Sequence, residues 1–205
     1  MINSYHLIDA LSDMCKQDDV ISPGASSNCA THTYQAWRVK YGQVFTYLGA
    51  MGAMGTGIPT AIGACLASGR KRTICLNGDG GFQLNIQELE VVRRLALPIK
   101  FFVLNNGGYG AIMNTQRKYF EGRYVGANDE SGLTLPDVRA VAEAYGIKTY
   151  IIEIDGDIKP VCKQALSDSL PCVVEVIVSD EEETVMRVGS KMVDGKPVSM
   201  KFEDI

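Results

Sequence analysis

Two glycine-rich motifs contain the residues of this chain that are best suited to bind a metal ion. Asp79 lies in the sequence GDGG, residues 78–81, and Asn106 lies 27 positions later in NNGG, residues 105–108. A carboxylate, an amide oxygen and a glycine-flanked carbonyl such as that of Gly108 are hard oxygen ligands. Three of them leave half of an octahedron open. Mg²⁺ favours this arrangement when it bridges a protein to a diphosphate, since phosphate oxygens and water complete its shell.

A turn without a ligand is the competing interpretation of each motif, because glycine, asparagine and aspartate favour tight turns. Either motif alone is explained equally well in that way. Taken together, the motifs each follow a predicted strand and are separated by one helix and one apolar strand. Because ligands collect at the carboxyl ends of parallel strands, the pair favours one shared binding site.

The elements that position these motifs form a regular alternation. Residues 73–76 predict a strand that runs into the first motif, and the apolar run 99–104 predicts a strand that ends at the second. The alternation predicts an α/β fold, a single doubly wound domain with a parallel sheet of about six strands flanked by helices. The other predicted elements are helices over 7–14, 59–67, 86–95, 138–145 and 158–166, and strands over 20–22, 44–48, 148–154 and 172–178.

Composition narrows the function classes. The net charge of −4 comes from 20 basic and 24 acidic residues mixed along 205 positions, which argues against a nucleic-acid partner. Residues 44–69 carry no charge, but their first half is rich in glycine, so we expect a buried turn and helix and no membrane span. Six cysteines without a C-x-x-C pair and an N-terminus without an export signal favour the cytoplasm.

The two motifs are similar to the signature of thiamine-diphosphate-dependent enzymes. Residues 82–89, FQLNIQEL, resemble the branch of acetolactate synthases and 2-oxo acid decarboxylases, and residues 52–64 resemble the family segment that carries the two rings of the cofactor. The resemblance extends over nearly the whole chain. It implies the C-terminal, diphosphate-binding domain of such an enzyme, with thiamine diphosphate and Mg²⁺ as cofactors. We expect residues 1–180 to form this domain and 181–205 to form an irregular extension of it.

The resemblance also implies a role for individual residues. Asp79, Asn106 and the Gly108 carbonyl correspond to the Mg²⁺ ligands. Met54 corresponds to the large apolar residue that bends the cofactor, although without the motif around it a core gap-filler is the simpler interpretation. The Gly52 carbonyl corresponds to the group that orients the cofactor amine. The remaining implied cofactor contacts are Gly24, Ala25, Ser26, Gly78, Gly80, Gly81, Tyr109, Gly110 and Ala111.

No catalytic residue is assigned within this chain. In the family a glutamate from a separate pyrimidine-binding domain activates the cofactor, and Glu88 and Glu90 follow the metal motif on the wrong side to replace it. The resemblance therefore implies a complementary pyrimidine-binding domain or subunit, a 2-oxo acid substrate such as pyruvate, and a homo- or hetero-oligomer. Residues 114–116 read NTQ where acetolactate synthases carry Gln-Trp, which argues against acetolactate synthesis.

Three questions stay open at this level. A noncatalytic cofactor-binding or regulatory domain that retains the fold explains the missing glutamate as well as an enzyme component does. The start of the chain resembles the linker end of a longer synthase, which favours a fragment or a split gene. His32 follows the loop after Gly24, where it is either a proton shuttle or a structural residue. A nicotinamide dinucleotide is disfavoured, because no G-x-G-x-x-G opens a helix after the first strand.

Overall fold

A computed structural model of the chain describes residues 1–25, 27–46 and 51–204. Its main sheet has six strands in the order β2-β1-β3-β4-β6-β5, and all neighbours are parallel. The predicted α/β fold with helices on both faces of a parallel sheet is confirmed. The strands are β1 (Val20–Pro23), β2 (Val44–Phe45), β3 (Thr73–Gly78), β4 (Ile99–Asn105), β5 (Lys148–Ile152) and β6 (Cys172–Ile177).

Helices cover both faces of this sheet. The helices are α1 (Ser4–Met14), α2 (His32–Ala36), α3 (Gly57–Ala67), α4 (Asp79–Gln83), α5 (Leu89–Arg94), α6 (Gly110–Tyr119), α7 (Val138–Ala144) and α8 (Asp155–Ser167). A π-helical turn, Ser27–Thr31, precedes α2. Among the described residues, no helix is long and apolar enough to cross a membrane.

Successive residues of the central strands face opposite layers of helices. Ile74 and Leu76 of β3 belong to the apolar core under α1 and α8, whereas Cys75 between them belongs to the core under α3, α5 and α7. Phe102 and Phe101 of β4 divide in the same way. Strands covered on both faces read as continuous apolar runs, which is why β3 and β4 were recognisable in the sequence.

The structure differs from the predicted elements in two places near the site. The predicted helix over 86–95 is a 3₁₀ turn, Ile86–Glu88, followed by the short α5, and α4 begins at Asp79 itself. Helix α6 was not predicted, because Met113 is its one fully buried residue and the apolar periodicity is therefore absent. The second strand was predicted over 44–48, and positions 47 and 48 lie outside the described residues.

The sequence led us to expect an irregular segment after position 180, but part of this segment is regular. It contains an antiparallel hairpin of β7 (Ser190–Val193) and β8 (Lys196–Ser199). Asp194 and Gly195 form its two-residue turn with φ of +48° and +73°. Asp-Gly is a strong signal for this turn, because both positions need positive φ. The signal was present in the sequence and was missed.

Candidate functional site

One cavity at the carboxyl ends of the central strands collects nearly all of the predicted cofactor contacts. Gly24 lies outside its lining, where its N–H donates to the Leu76 carbonyl at 2.6 Å. Ser26 lies outside the described residues. The predicted residues that line the cavity are Ala25, Gly52, Met54, Gly78, Asp79, Gly80, Gly81, Asn106, Gly108, Tyr109, Gly110 and Ala111.

Asp79 is the first residue of α4 and is almost fully buried, with 4% of its surface exposed. Its Oδ1 accepts the N–H of Gly80 at 2.7 Å, and its Oδ2 accepts the N–H of Gly107 at 2.9 Å. Burial raises the pKa of this carboxyl to about 6, and the backbone donors around it offset part of the rise. A nearby cation favours the charged form of such a group.

The two predicted ligand oxygens converge on a single backbone donor. The amide nitrogen of Gly108 lies 3.2 Å from Asp79 Oδ2 and 3.3 Å from Asn106 Oδ1. The sheet produces this convergence, because β3 and β4 are adjacent and their last paired residues are Gly78 and Leu104. The ends of two parallel strands thus bring residues 27 positions apart in the sequence to one point.

The backbone at Gly108 is held in place by the loop that follows α6. Gly108 forms a bridge with Asn128, and a Cβ at this glycine would lie 2.3 Å from the Ala127 carbonyl oxygen, so no other residue fits. The Gly108 carbonyl accepts the Gly110 N–H at 3.1 Å. A carbonyl oxygen has two lone pairs, so this bond leaves one for a further ligand.

Two more glycines make room for side chains of the site. A Cβ on Gly110 would lie 2.4 Å from Asn106 Nδ2, and a Cβ on Gly80 would lie 2.5 Å from the ring of Tyr109. The Tyr109 hydroxyl accepts a hydrogen bond from Gln83 Nε2 at 3.3 Å. The ring of Tyr109 therefore covers the first turn of α4, next to Asp79.

Met54 lines the same cavity with 45% of its surface exposed. Its terminal methyl lies close to Gly80, 3.6 Å from where a Cβ would be. An apolar side chain that is half exposed inside a cavity is not a filler of the hydrophobic core. The geometry leaves Met54 available to contact a ligand.

An ion pair between the buried Glu175 and the half-exposed Arg139, behind the second motif, was missed by sequence reasoning. Glu175 on β6 is 6% exposed; its Oε1 accepts from Asn105 Nδ2 at 2.7 Å and its Oε2 accepts from Arg139 Nε at 2.9 Å. Asn105 Oδ1 in turn accepts the Gly107 N–H at 3.0 Å. The network fixes the loop that carries Asn106. The sequence feature that could have revealed this network is the single charged residue, Glu175, within the apolar run 172–177.

The donor set of the cavity fits a phosphate-bearing ligand and a hard cation. Asn77 is 2% exposed, lines the cavity, and leaves its Nδ2 without a hydrogen-bond partner among the described residues. That nitrogen is itself enclosed and faces Gly57, which does not line the cavity, so a ligand there does not reach it. The N–H of Gly81, in the first turn of α4, has no partner within the helix and is the donor that suits a phosphate oxygen. Within the same residues there is no cluster of three or more His, Cys, Asp or Glu side chains that could hold a metal. A cation here would depend on one carboxylate and neutral oxygens.

His32 is a structural residue in this fold and lies outside the lining of the cavity. Its ring is fully buried, with Nδ1 2.6 Å from Ser4 Oγ and Nε2 2.9 Å from Thr184 Oγ1. Burial lowers its pKa to about 4. Glu88 and Glu90 also lie outside the lining, and Glu90 pairs with Arg93 at 2.6 Å.

Comparisons with known proteins identify the family of this chain. The model of a family described as thiamine pyrophosphate enzyme, C-terminal TPP binding domain, matches residues 25–176. The acetolactate synthase large subunit of Cyanidium caldarium is 34% identical over 132 residues, which are 64% of this chain and 22% of that protein. Acetolactate synthase 1, chloroplastic, of Zea mays is 26% identical over 201 residues, which are 92% of this chain and 30% of that protein.

A solved structure shows the same fold. The thiamine diphosphate-dependent 4-hydroxybenzoylformate decarboxylase of Rhodococcus jostii RHA1 superposes with a TM-score of 0.73 at 24% identity, over 87% of this chain and 33% of that chain. The chain thus spans a third or less of the length of these relatives. Because the family model covers most of the chain, this protein belongs to the C-terminal TPP-binding domains of thiamine pyrophosphate enzymes, in the branch that resembles acetolactate synthases.

Proposed function

We propose that this domain anchors thiamine diphosphate through a Mg²⁺ ion held by the side chains of Asp79 and Asn106 and by the Gly108 carbonyl. The observation that carries the proposal is the convergence of Asp79 Oδ2 and Asn106 Oδ1 on one amide nitrogen, at 3.2 and 3.3 Å. One carboxylate and two neutral oxygens suit Mg²⁺, which keeps part of its shell for phosphate and water.

The other lining residues have separate roles in this proposal. Met54 supports the cofactor in its bent shape, and the Gly52 carbonyl orients its amine. When bound, thiamine diphosphate supplies a nucleophilic carbon and an electron sink for chemistry on 2-oxo acids. The remaining proposed contacts to the cofactor are Gly24, Ala25, Ser26, Gly78, Gly80, Gly81, Tyr109, Gly110 and Ala111, of which Gly24, Ala25, Ser26, Gly80 and Gly81 are proposed for the diphosphate.

Gly80 and Gly81 differ in how directly they can donate to the diphosphate. The Gly80 N–H donates to Asp79 Oδ1 at 2.7 Å, so it helps to fix the metal ligand. The Gly81 N–H belongs to the first turn of α4, where backbone donors have no partner within the helix. Gly81 is therefore the better candidate for a direct contact with phosphate.

The proposed activity of the whole protein is that of a 2-oxo acid decarboxylase or carboligase, a lyase or transferase. Asp79 is the one carboxylate among the described residues that line the cavity, and it is committed to the metal. The activating glutamate then comes from a complementary pyrimidine-binding domain or subunit, in a homo- or hetero-oligomer, with pyruvate as the simplest substrate. We place the protein in the cytoplasm.

Calorimetry with Mg²⁺ and thiamine diphosphate tests the metal assignment. Asp79→Asn keeps the shape of the side chain and removes its charge, so we expect the affinity to fall about 100-fold or more. Asp137→Asn is the matched control, since Asp137 caps α7 and asparagine caps a helix equally well. An Asp79→Asn protein that binds like the unchanged chain refutes the metal assignment.

Turnover tests the need for a partner domain. The purified chain should not decarboxylate pyruvate on its own, because no second carboxylate reaches the cavity in its described part. Adding a pyrimidine-binding domain that carries the activating glutamate should produce turnover, and the same domain with glutamine in that place should not. Robust decarboxylation by the chain alone contradicts this part of the proposal.

A further inference from the structure

Glu175 is a buried charged residue with no contact to the proposed metal or cofactor. It lies in β6 and is 6% exposed, among the apolar residues that make up the rest of this strand. Burying a carboxylate costs free energy unless donors compensate for it. Each of its oxygens has one such donor, because Asn105 Nδ2 lies 2.7 Å from Oε1 and Arg139 Nε lies 2.9 Å from Oε2. Glutamine does not satisfy both donors, since it offers one acceptor oxygen and an amide nitrogen.

The bond to Glu175 fixes the orientation of the Asn105 amide. An asparagine side chain has a donor on one side and an acceptor on the other. Because Nδ2 points at Glu175, Oδ1 points at the backbone N–H of Gly107 and accepts from it at 3.0 Å. An amide turned over would bring Nδ2 against the Gly107 N–H and Oδ1 against the carboxylate, so both bonds would be lost. Glu175 therefore determines which atom of Asn105 faces the Gly107 backbone.

The Gly107 N–H lies in the turn that carries a proposed metal ligand. Asn106 stands between the two residues that the Asn105–Gly107 bond joins. The same N–H also donates to Asp79 Oδ2 at 2.9 Å, and Gly107 has a φ of +74°, which glycine adopts without strain. A continuous series of hydrogen bonds thus leads from Glu175 through Asn105 to the turn around Asn106.

We infer that Glu175 is a positioning residue for the metal site, which orients the Asn105 amide so that it holds Asn106 in place. The inference rests on the proposed function, because it requires Asn106 to be a metal ligand. Neither Glu175 nor Asn105 lines the cavity, so their effect on a ligand passes through the backbone of the turn. Groups that hold metal ligands in place contribute strongly to metal affinity.

Exchanging the donor and the acceptor tests this role, with calorimetry of Mg²⁺ and inorganic diphosphate at about pH 8, where both carboxyls are ionised. Glu175→Gln brings a donor against Asn105 or Arg139, and Asn105→Asp brings two carboxylates together. We expect each single variant to bind about tenfold more weakly. In the double variant the new amide donates to the new carboxylate and accepts from Arg139, and the net charge is unchanged. Its affinity should return to within about threefold of the unchanged chain.

A second buried carboxylate separates a loss of position from a loss of stability. Asp19 is 3% exposed and accepts from Arg72 Nε at 2.9 Å, just before β1 and thus at the opposite end of the sheet. Asp19→Asn should lower the melting temperature and leave the affinity for Mg²⁺ and diphosphate unchanged. If Glu175→Gln does not fold, Glu175→Asp replaces it, because the shorter side chain keeps the charge and withdraws from Asn105.

The affinities of these variants decide between position and other causes. Unchanged affinity in the folded single variants overturns the inference, as does a double variant no better than the weaker single one. Tighter binding by Asn105→Asp also overturns it, because that result would mean that added negative charge, and not the orientation of the amide, sets the affinity. Failure of the unchanged chain to bind Mg²⁺ and diphosphate overturns the proposed function instead, so the two failures are distinguishable.

Discussion

At the scale of single residues, the glycines around the metal motif act by leaving space. Gly110 shows this most clearly, because a Cβ there would lie 2.4 Å from Asn106 Nδ2. Real side chains do not approach so closely, so any larger residue must displace the Asn106 amide. Gly110 begins α6 and its backbone needs no unusual conformation, so a larger residue there does not disturb the helix. It disturbs the position of the predicted metal ligand Asn106.

The replacement Gly110→Ala should therefore reduce binding and leave the fold intact. We expect the affinity for Mg²⁺ and diphosphate to fall about tenfold or more, because Asn106 loses its position. Gly156→Ala is the matched control, also in the first turn of a helix, where a Cβ meets its nearest atom at 4.0 Å. Calorimetry on both variants decides the matter, and equal affinities would show that Asn106 is not a ligand.

The residue types of the site were predictable, but their supporting contacts were not. Asp79 and Asn106 were predictable from their residue types and from their position directly after apolar strands. Nothing in the sequence shows that the Asn77 side-chain nitrogen lacks a hydrogen-bond partner. Nor does it show that Glu175 accepts a hydrogen bond from Asn105, 70 positions away, because such contacts depend on which strands become neighbours. Only the oddity of a charge within an apolar run pointed to Glu175.

At the scale of elements, the two central strands position the site and the helices around them hold the strands. β3 and β4 pair over six positions, from Thr73 with Ile99 to Gly78 with Leu104, so both end at one edge of the sheet. Their continuous apolar sequences made these strands predictable. Helix α6 was missed because only its first turn, residues 110–112, lines the cavity and the helix buries little apolar surface.

A substitution in helix α3 tests the stability of a single element at a position away from the site. Gly63 lies in the middle of α3, exposed, and a Cβ there meets nothing within 4 Å. Gly63→Ala should raise the free energy of unfolding by about 0.5–1 kcal/mol, because alanine loses less backbone entropy in a helix. Denaturant unfolding measures this change. A destabilised variant would mean that α3 packs against another surface at this position.

At the scale of the whole molecule, the two ends of the chain meet at His32. Ser4 of α1 and Thr184 of the C-terminal segment both bond its ring, and the ring of Tyr5 stacks on it at 4.2 Å. Glu182 Oε1 accepts the Ser4 N–H at 2.6 Å. Its side-chain partners lie 28 and 152 positions away and leave no local pattern, which is why the sequence left the role of His32 open.

This junction makes stability depend on pH in a definite direction. Burial lowers the pKa of His32 from its ordinary 6.5 to about 4. Between these values the unfolded chain binds the proton and the folded chain does not, so the contribution of neutral His32 is present above pH 6.5 and is lost as the pH falls toward 4. The loss should be roughly 2–3 kcal/mol.

A His32→Gln variant isolates this effect from other groups. Glu182 lies 4.0 Å from the ring, and burial raises its pKa, so its contribution has the opposite sign and is lost as the pH rises. Urea unfolding of both proteins at several pH values gives the difference attributable to His32. We expect the advantage of the unchanged chain to shrink between pH 6.5 and pH 4, and a constant difference would contradict the assignment.

The metal pair formed by Asp79 and Asn106 is the central claim, and a crystal structure of the chain with Mg²⁺ and thiamine diphosphate tests it most directly. The account predicts one Mg²⁺ with Asp79, Asn106 Oδ1 and the Gly108 carbonyl at about 2.0–2.1 Å, its remaining positions filled by diphosphate oxygens and water. A cofactor bound with the ion at other residues, or with no contact to Asp79 and Asn106, would contradict it.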